Sequence, residues 1–137
     1  MKINSIMIVD DDEDDLLFFR EALKQVDSRI QCIEAQNGAL GLDKLKEIKH
    51  LPQYIFLDLN MPVMNGIDFL TKIRLDFALK NIPVIVYTTS ISPQDINATR
   101  QLGASYYLPK TAEIGKLPSK LLFTIKMVDS LNFKGAF

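Results

Sequence analysis

Short apolar runs alternate with longer amphipathic stretches along this chain. Ile6-Met7-Ile8-Val9 is rich in β-branched residues and is halted by carboxylates, which predicts a buried strand. Leu16, Phe19, Leu23 and Val26 follow at helical spacing and predict a helix from about Glu13 to Val26. Ile30 to Ala35 reads as a second strand. Asn37-Gly38 supplies a turn, after which Leu42, Leu45 and Ile48, with Ala39 nearby, mark a second helix. Tyr54 to Leu57 is the third strand and ends at Asp58. The loop Met61-Pro62-Val63-Met64-Asn65-Gly66 carries turn chemistry. Ile67, Leu70, Ile73 and Phe77 predict a third helix. Ile82 to Tyr87 is a fourth strand, with Pro83 at its start, where a missing N–H is tolerable. Ser92-Pro93 opens a fourth helix as N-cap and first helical residue, and Gly103 closes it. Ser105 to Leu108 is a short fifth strand. A fifth helix is expected from near Pro118 to about Leu131, with Leu121, Ile125 and Val128 inward, and 132–137 as a frayed tail.

Five strand–helix units in a row predict an α/β fold with a parallel sheet and helices on both faces. The chain of 137 residues suits a single domain, 1–137, with its core over about 3–131 and no output domain. Composition agrees with a folded, soluble protein: 47% of residues are hydrophobic and 24% charged. The balance of 16 basic and 17 acidic side chains gives no electrostatic case for nucleic acid or membrane. Cys32 is the only cysteine, which excludes an internal disulfide and a thiolate metal cage and points to a cytoplasmic protein. No apolar run is long enough to span a bilayer.

In doubly wound sheets the ligand site lies outside the carboxyl ends of the strands. Asp10 and Asp11 follow the first strand, Asp58 the third, Thr88 the fourth and, after Pro109, Lys110 the fifth. Three carboxylates, a hydroxyl and an ammonium are therefore expected at one edge. Crowded carboxylates repel, and a hard divalent cation such as Mg2+ relieves them through oxygen ligands. One carboxylate can act as a nucleophile and form an aspartyl phosphate, with the ammonium stabilising the transferring group.

At these residues the chain resembles the response-regulator receivers of bacterial two-component signalling, in their stand-alone, chemotaxis-regulator-like form. The resemblance rests on Ile6-Met7-Ile8-Val9-Asp10-Asp11, on Asp58-Leu59-Asn60-Met61-Pro62 with Gly66, on Pro83 to Thr88, and on Gly103-Ala104 leading to Lys110. It implies a flavodoxin-like sheet in strand order 2-1-3-4-5. It implies that Asp58 is the phosphoacceptor, Asp11 a direct Mg2+ ligand, Asp10 a ligand through water, and the Asn60 backbone carbonyl a further metal oxygen. Lys110 would pair with phosphoryl oxygens, and Thr88 would move toward them while Tyr107 turns inward. Tyr106 should face the other way, because strand side chains alternate. The implied phosphodonor is a histidine kinase or a histidine phosphotransfer protein. The implied readout is a downstream protein, or a relay, that meets the fourth helix, fifth strand and fifth helix. The protein would be a monomer or a weak homodimer, and no enzyme beyond handling its own phosphoryl group.

Two positions depart from the family. The residue after Lys110 is Thr111 rather than proline, and the Lys110–Thr111 bond is expected to be trans. Thr89 stands where many receivers carry a smaller residue, and its hydroxyl is expected to alter water access to the phosphoryl group.

Other acids admit plainer readings. Asp10 to Asp15 is an unbroken acidic run, and Asp14 and Asp15 are expected to be solvated charges favoured at a helix N-terminus. Asp12 and Glu13 fit either reading, Asp12 as a helix cap. His50 is expected to be exposed, Cys32 to be buried packing, and Met61 and Met64 to be loop packing. A competing function is a small phosphohydrolase that turns over an aspartyl phosphate on an outside substrate. Such enzymes often carry an acid two residues after the nucleophile, where this chain has Asn60. A flavin or nucleotide carrier is disfavoured, since acids rather than a glycine-rich loop follow the first strand.

Overall fold

The alternation of apolar runs and amphipathic helices produces a five-stranded parallel sheet. The computed structural model describes residues 2–131. Its elements are β1 (Ser5–Val9), α1 (Glu13–Val26), β2 (Gln31–Ala35), α2 (Gly38–Glu47), β3 (Tyr54–Leu57), α3 (Gly66–Leu75), β4 (Val84–Thr88), α4 (Pro93–Gln101), β5 (Tyr106–Pro109) and α5 (Leu117–Leu131). A single 3-10 turn, Ile114–Lys116, leads into α5. The strand order is β2-β1-β3-β4-β5, with every pairing parallel. The frayed tail expected at 132–137 lies outside the described residues.

Strand alternation divides the core in two. Met7, Val9, Ile55, Leu57, Val84 and Val86 face a cluster completed by Leu42 and Leu45 of α2 and by Phe69, Leu70 and Ile73 of α3. Ile6, Ile8, Tyr54, Phe56, Ile85 and Tyr87 face the other way, onto Leu16, Phe19 and Leu23 of α1 and Leu121, Ile125 and Val128 of α5. β1, β3 and β4 are buried on both faces, as parallel strands covered by helices require. Phe19 and Phe56 pack with ring centroids 4.9 Å apart, which ties α1 to the middle of the sheet.

Caps fix the helix starts. Asp12 accepts from the backbone N–H groups of Asp14 and Asp15, Asn37 from Leu40, Asn65 from Asp68, and Ser92 from Asp95. The Ser92-Pro93 start and the Gly103 end of α4 are as predicted, with Gly103 at φ 82°. Phe77 is a correction. It was expected on the inner face of the third helix, but α3 ends at Leu75 and Phe77 is 85% exposed. The cause is Asp76, whose carboxylate accepts from the Ala78 N–H and folds the chain into a turn. Leu79 is buried in the core instead, and Lys80 lies over the Phe77 ring.

Candidate functional site

Asp10 is the first residue past β1. Its backbone N–H still bonds the Ala35 carbonyl of β2, so the carboxylate is held by the sheet and is fully buried. One oxygen, Oδ1, accepts from the Asp12 N–H at 3.0 Å, which links the site to the α1 cap. The other, Oδ2, lies 2.6 Å from Lys110 Nζ. Asp11 is exposed at the rim. Asp58 follows β3 and is anchored by its own N–H on the Val9 carbonyl. Its Oδ1 accepts from the Leu59 N–H at 2.8 Å, and its Oδ2 is 3.4 Å from Lys110 Nζ. Asp10, Asp11 and Asp58 each present an oxygen within 4.8 Å of the others.

Thr88 ends β4 with no exposure, and its hydroxyl accepts from the Ser90 N–H at 3.3 Å. Lys110 is fixed to the same strand, because its N–H donates to the Thr88 carbonyl at 2.7 Å. No cis peptide bond occurs among the described residues, so Lys110–Thr111 is trans as expected, and the lysine still reaches the carboxylates. Tyr107 packs toward the α2/α3 core, and its hydroxyl donates to the Ser90 carbonyl at 2.9 Å. Tyr106 packs against the opposite core, as alternation predicted. Asn60 and Thr89 are exposed. Asp14 is exposed, as a solvated helix start should be.

Asp15 does not follow that expectation. Its carboxylate lies 2.7 Å from Lys110 Nζ and is only 30% exposed. The cap explains the difference: Asp12 Oδ1 holds the Asp14 and Asp15 N–H groups and aims the first turn of α1 at the strand edge. The acidic run concealed this contact. A signal was present in the cap reading of Asp12, which puts Asp15 in the first helical turn beside the end of β1. Ser90 is a second residue the sequence did not single out. Its hydroxyl donates to Asp95 at 2.6 Å, and its backbone ties Thr88 to Tyr107.

Burial pushes the Asp10 carboxyl up to about 6, against the pull of the Lys110 hydrogen bond. Burial alone would lower the Lys110 ammonium, but hydrogen bonds to Asp10 and Asp15 and the charge of Asp58 outweigh it and hold the lysine above its ordinary range. The site therefore carries an excess of negative charge around one firmly charged lysine. Its donors are all oxygens, which suits a hard divalent cation and not a thiophilic one.

A parallel sheet in this order, with acids after β1 and β3 and a lysine after β5, defines a doubly wound protein with a carboxylate-and-lysine site at the carboxyl ends of its strands. The profile of the response regulator receiver domain matches residues 6–122, and the chain belongs to that family, the signalling switches of two-component systems. It is 31% identical over 110 residues to the polar-differentiation response regulator DivK of Brucella anthropi, covering 80% of this chain and 86% of that one. It is also 31% identical over 105 residues to the sensor histidine kinase CheAY of Helicobacter pylori, covering 77% of this chain but 13% of the kinase. Among solved structures, the phosphorylated cyanobacterial phytochrome response regulator RcpA superposes with a TM-score of 0.86 at 27% identity, covering 97% of this chain and 99% of that one. The Mn2+-bound response regulator Rcp1 gives 0.74 at 29% identity, covering 93% and 91%. Receiver domains bind Mg2+ at an acidic pocket, and the Asp10–Asp11–Asp58 group is consistent with that. No helix among the described residues is long and apolar enough to cross a membrane.

Proposed function

We propose that Asp58 accepts a phosphoryl group from a histidine kinase or a histidine phosphotransfer protein and that the protein signals through the change this causes. The observation that carries the reading is the meeting of Asp10, Asp11 and Asp58 with the Lys110 ammonium at one sheet edge. Asp58 Oδ2 attacks phosphorus, a P–O bond forms and the P–N bond to the donor imidazole breaks. The imidazole leaves and regains a proton from solvent. Lys110, already 3.4 Å from Asp58, is placed to pair with the phosphoryl oxygens. Asp11, the Asn60 carbonyl, Asp58 and, through water, Asp10 would hold Mg2+. That ion would offset the charge that builds on the phosphoryl oxygens.

The Thr88 hydroxyl, now an acceptor, can rotate to donate to a phosphoryl oxygen. Ser90 would carry that movement onward, since it bonds Thr88, Asp95 of α4 and Tyr107 of β5. The surface reshaped is then α4, β5 and α5, which a downstream protein would read. The match to RcpA, a receiver solved in its phosphorylated form, supports the reading.

Incubation with acetyl phosphate tests it. Intact mass should rise by one phosphoryl group when Mg2+ is present and not in a chelator, and Asp58→Ala should abolish the gain. Absence of a Mg2+-dependent adduct, or an adduct that survives Asp58→Ala, defeats the proposal.

A further inference from the structure

A lysine that serves an incoming phosphoryl group needs free donors, yet Lys110 has few to give. An ammonium has three N–H groups. Here Nζ lies 2.6 Å from Asp10, 2.7 Å from Asp15 and 3.4 Å from Asp58. The two short contacts are charge-assisted bonds in a setting where the lysine side chain is only 8% exposed. Asp10 belongs to the three-carboxylate group that suits a cation, but Asp15 does not. Asp15 comes from the first turn of α1, and Lys110 is its ion-pair partner. Both side chains line a cleft between α1 and the segment leading to α5, together with Phe18, Leu108 and Leu117. Asp15 thus holds the ammonium at 2.7 Å, closer than the 3.4 Å that separates it from Asp58.

We propose that Asp15 is a positioning residue that restrains Lys110 and so limits how strongly the site holds a phosphoryl group. The inference rests on the reading that Asp58 takes the phosphoryl group. Two effects act in the same direction. Asp15 competes with phosphoryl oxygens for the lysine donors, and its own charge repels the anion. For a cation the second effect reverses, because an extra carboxylate near the acidic group attracts Mg2+. Removing the charge should therefore strengthen anion binding and weaken cation binding. A residue that merely braces α1 against β5 would, when changed, weaken both.

The test compares the full chain with Asp15→Asn and Asp15→Glu. Beryllofluoride at saturating Mg2+ serves as the phosphoryl probe, and calorimetry with Mg2+ alone reads the cation. Asp15→Asn is expected to bind beryllofluoride about fivefold more tightly and Mg2+ about twofold more weakly, the scale of a partly exposed charge pair. Asp15→Glu keeps the charge and should stay near the parent on both measures. The inference is overturned if Asp15→Asn leaves both affinities unchanged, if both fall together, or if Asp15→Glu shifts as Asp15→Asn does. A parent protein that takes neither beryllofluoride nor a phosphoryl label sinks the Asp58 reading itself. A parent that labels while Asp15→Asn behaves identically sinks only the restraint.

Discussion

The two ends of the sheet handle buried charge in opposite ways. At the carboxyl end, one ammonium is shared among Asp10, Asp15 and Asp58, with Asp11 close by. At the other end, the Arg74 guanidinium from the last turn of α3 has only neutral partners. It donates to the carbonyls of Leu102 at 3.0 Å, Lys80 at 2.8 Å, Ile82 at 3.2 Å and Gly103 at 3.2 Å. Burial lowers its pKa, and among the described residues no carboxylate pairs with it. These carbonyls lie just before β4 and β5, so one side chain closes the amino end of two strands. The lower site is nearly saturated, with four hydrogen bonds to carbonyls from one guanidinium. The upper site is under-neutralised, with one ammonium among several carboxylates. A buried charge that is fully met stabilises a fold; one that is incompletely met is available for a ligand.

The largest effect should come from breaking the nearly saturated end. Arg74→Met is expected to lower stability by about 3 kcal/mol, because four part-buried carbonyls lose their donor at once. Arg74→Lys should recover only a part, since an ammonium cannot match the planar fork. Urea unfolding reads both. A loss under about 1 kcal/mol would mean that water replaces the guanidinium at little cost. Mg2+ affinity of the folded variant should not change, which keeps the two ends separate.

Next in size is Gly66→Ala at the upper end. A Cβ there would collide with the Asp58 carbonyl and come within 2.7 Å of Leu59 Cα. The expected loss is about 2 kcal/mol, as for overpacking in a rigid place. Because the clash falls on Asp58 itself, labelling by acetyl phosphate should slow as well. Unaltered labelling with lowered stability would show that Asp58 does not depend on this close approach.

The contrast between the ends also shows which parts of the molecule were legible in the sequence. Strand ends were legible because short continuous apolar runs stop abruptly at polar residues, which is how Asp10, Asp58, Thr88 and Lys110 came to one edge. The helix cap at Ser92 was readable from its residue type, and the structure bears it out. What escaped was non-local or disguised. Phe77 extends a helical spacing, but an Asp76 side-chain bond breaks the helix before it. Arg74 was not singled out, because its partners are backbone carbonyls outside its helix and residue type does not announce them. Asp15 was hidden in an acidic run, and its lysine lies 95 residues away. Periodicity detects faces. It does not detect a carboxylate that is aimed by a cap.

Relieving charge at the upper end should have the reverse sign. Burial pushes the Asp10 carboxyl up to about 6, so its ionised form is disfavoured in the folded, metal-free protein. Asp10→Asn keeps the shape and removes the charge, while Lys110 retains Asp15 and Asp58. Metal-free stability should rise by about 1 kcal/mol, with Mg2+ affinity falling tenfold or more. Thermal unfolding with and without Mg2+ measures both. If the variant is less stable than the parent in a chelator, the Asp10–Lys110 pair outweighs the burial cost and the upper end is not under-neutralised as described.

The smallest effect concerns backbone rather than charge, and it sharpens the same contrast. Each end has one residue in the left-handed region. At the lower end it is Gly103, at φ 82°, where a Cβ would press within 3.2 Å of the Arg74 Nε. At the upper end it is Val63, at φ 67°, in the loop after Asp58. The Met64 N–H donates to the Pro62 carbonyl at 2.7 Å across it, the i to i+2 bond of a γ-turn. A β-branched residue is costly there, by roughly 1–2 kcal/mol. The Val63 side chain is 85% exposed, so its removal forfeits almost no burial. Glycine would relieve the strain but would also loosen the unfolded chain, which offsets part of the gain. Val63→Gly should therefore stabilise the protein by about 0.5–1 kcal/mol. The same test at the lower end, Gly103→Ala, should destabilise. If Val63→Gly is neutral or worse in urea unfolding, the upper loop is not strained. The two ends would then differ in charge alone.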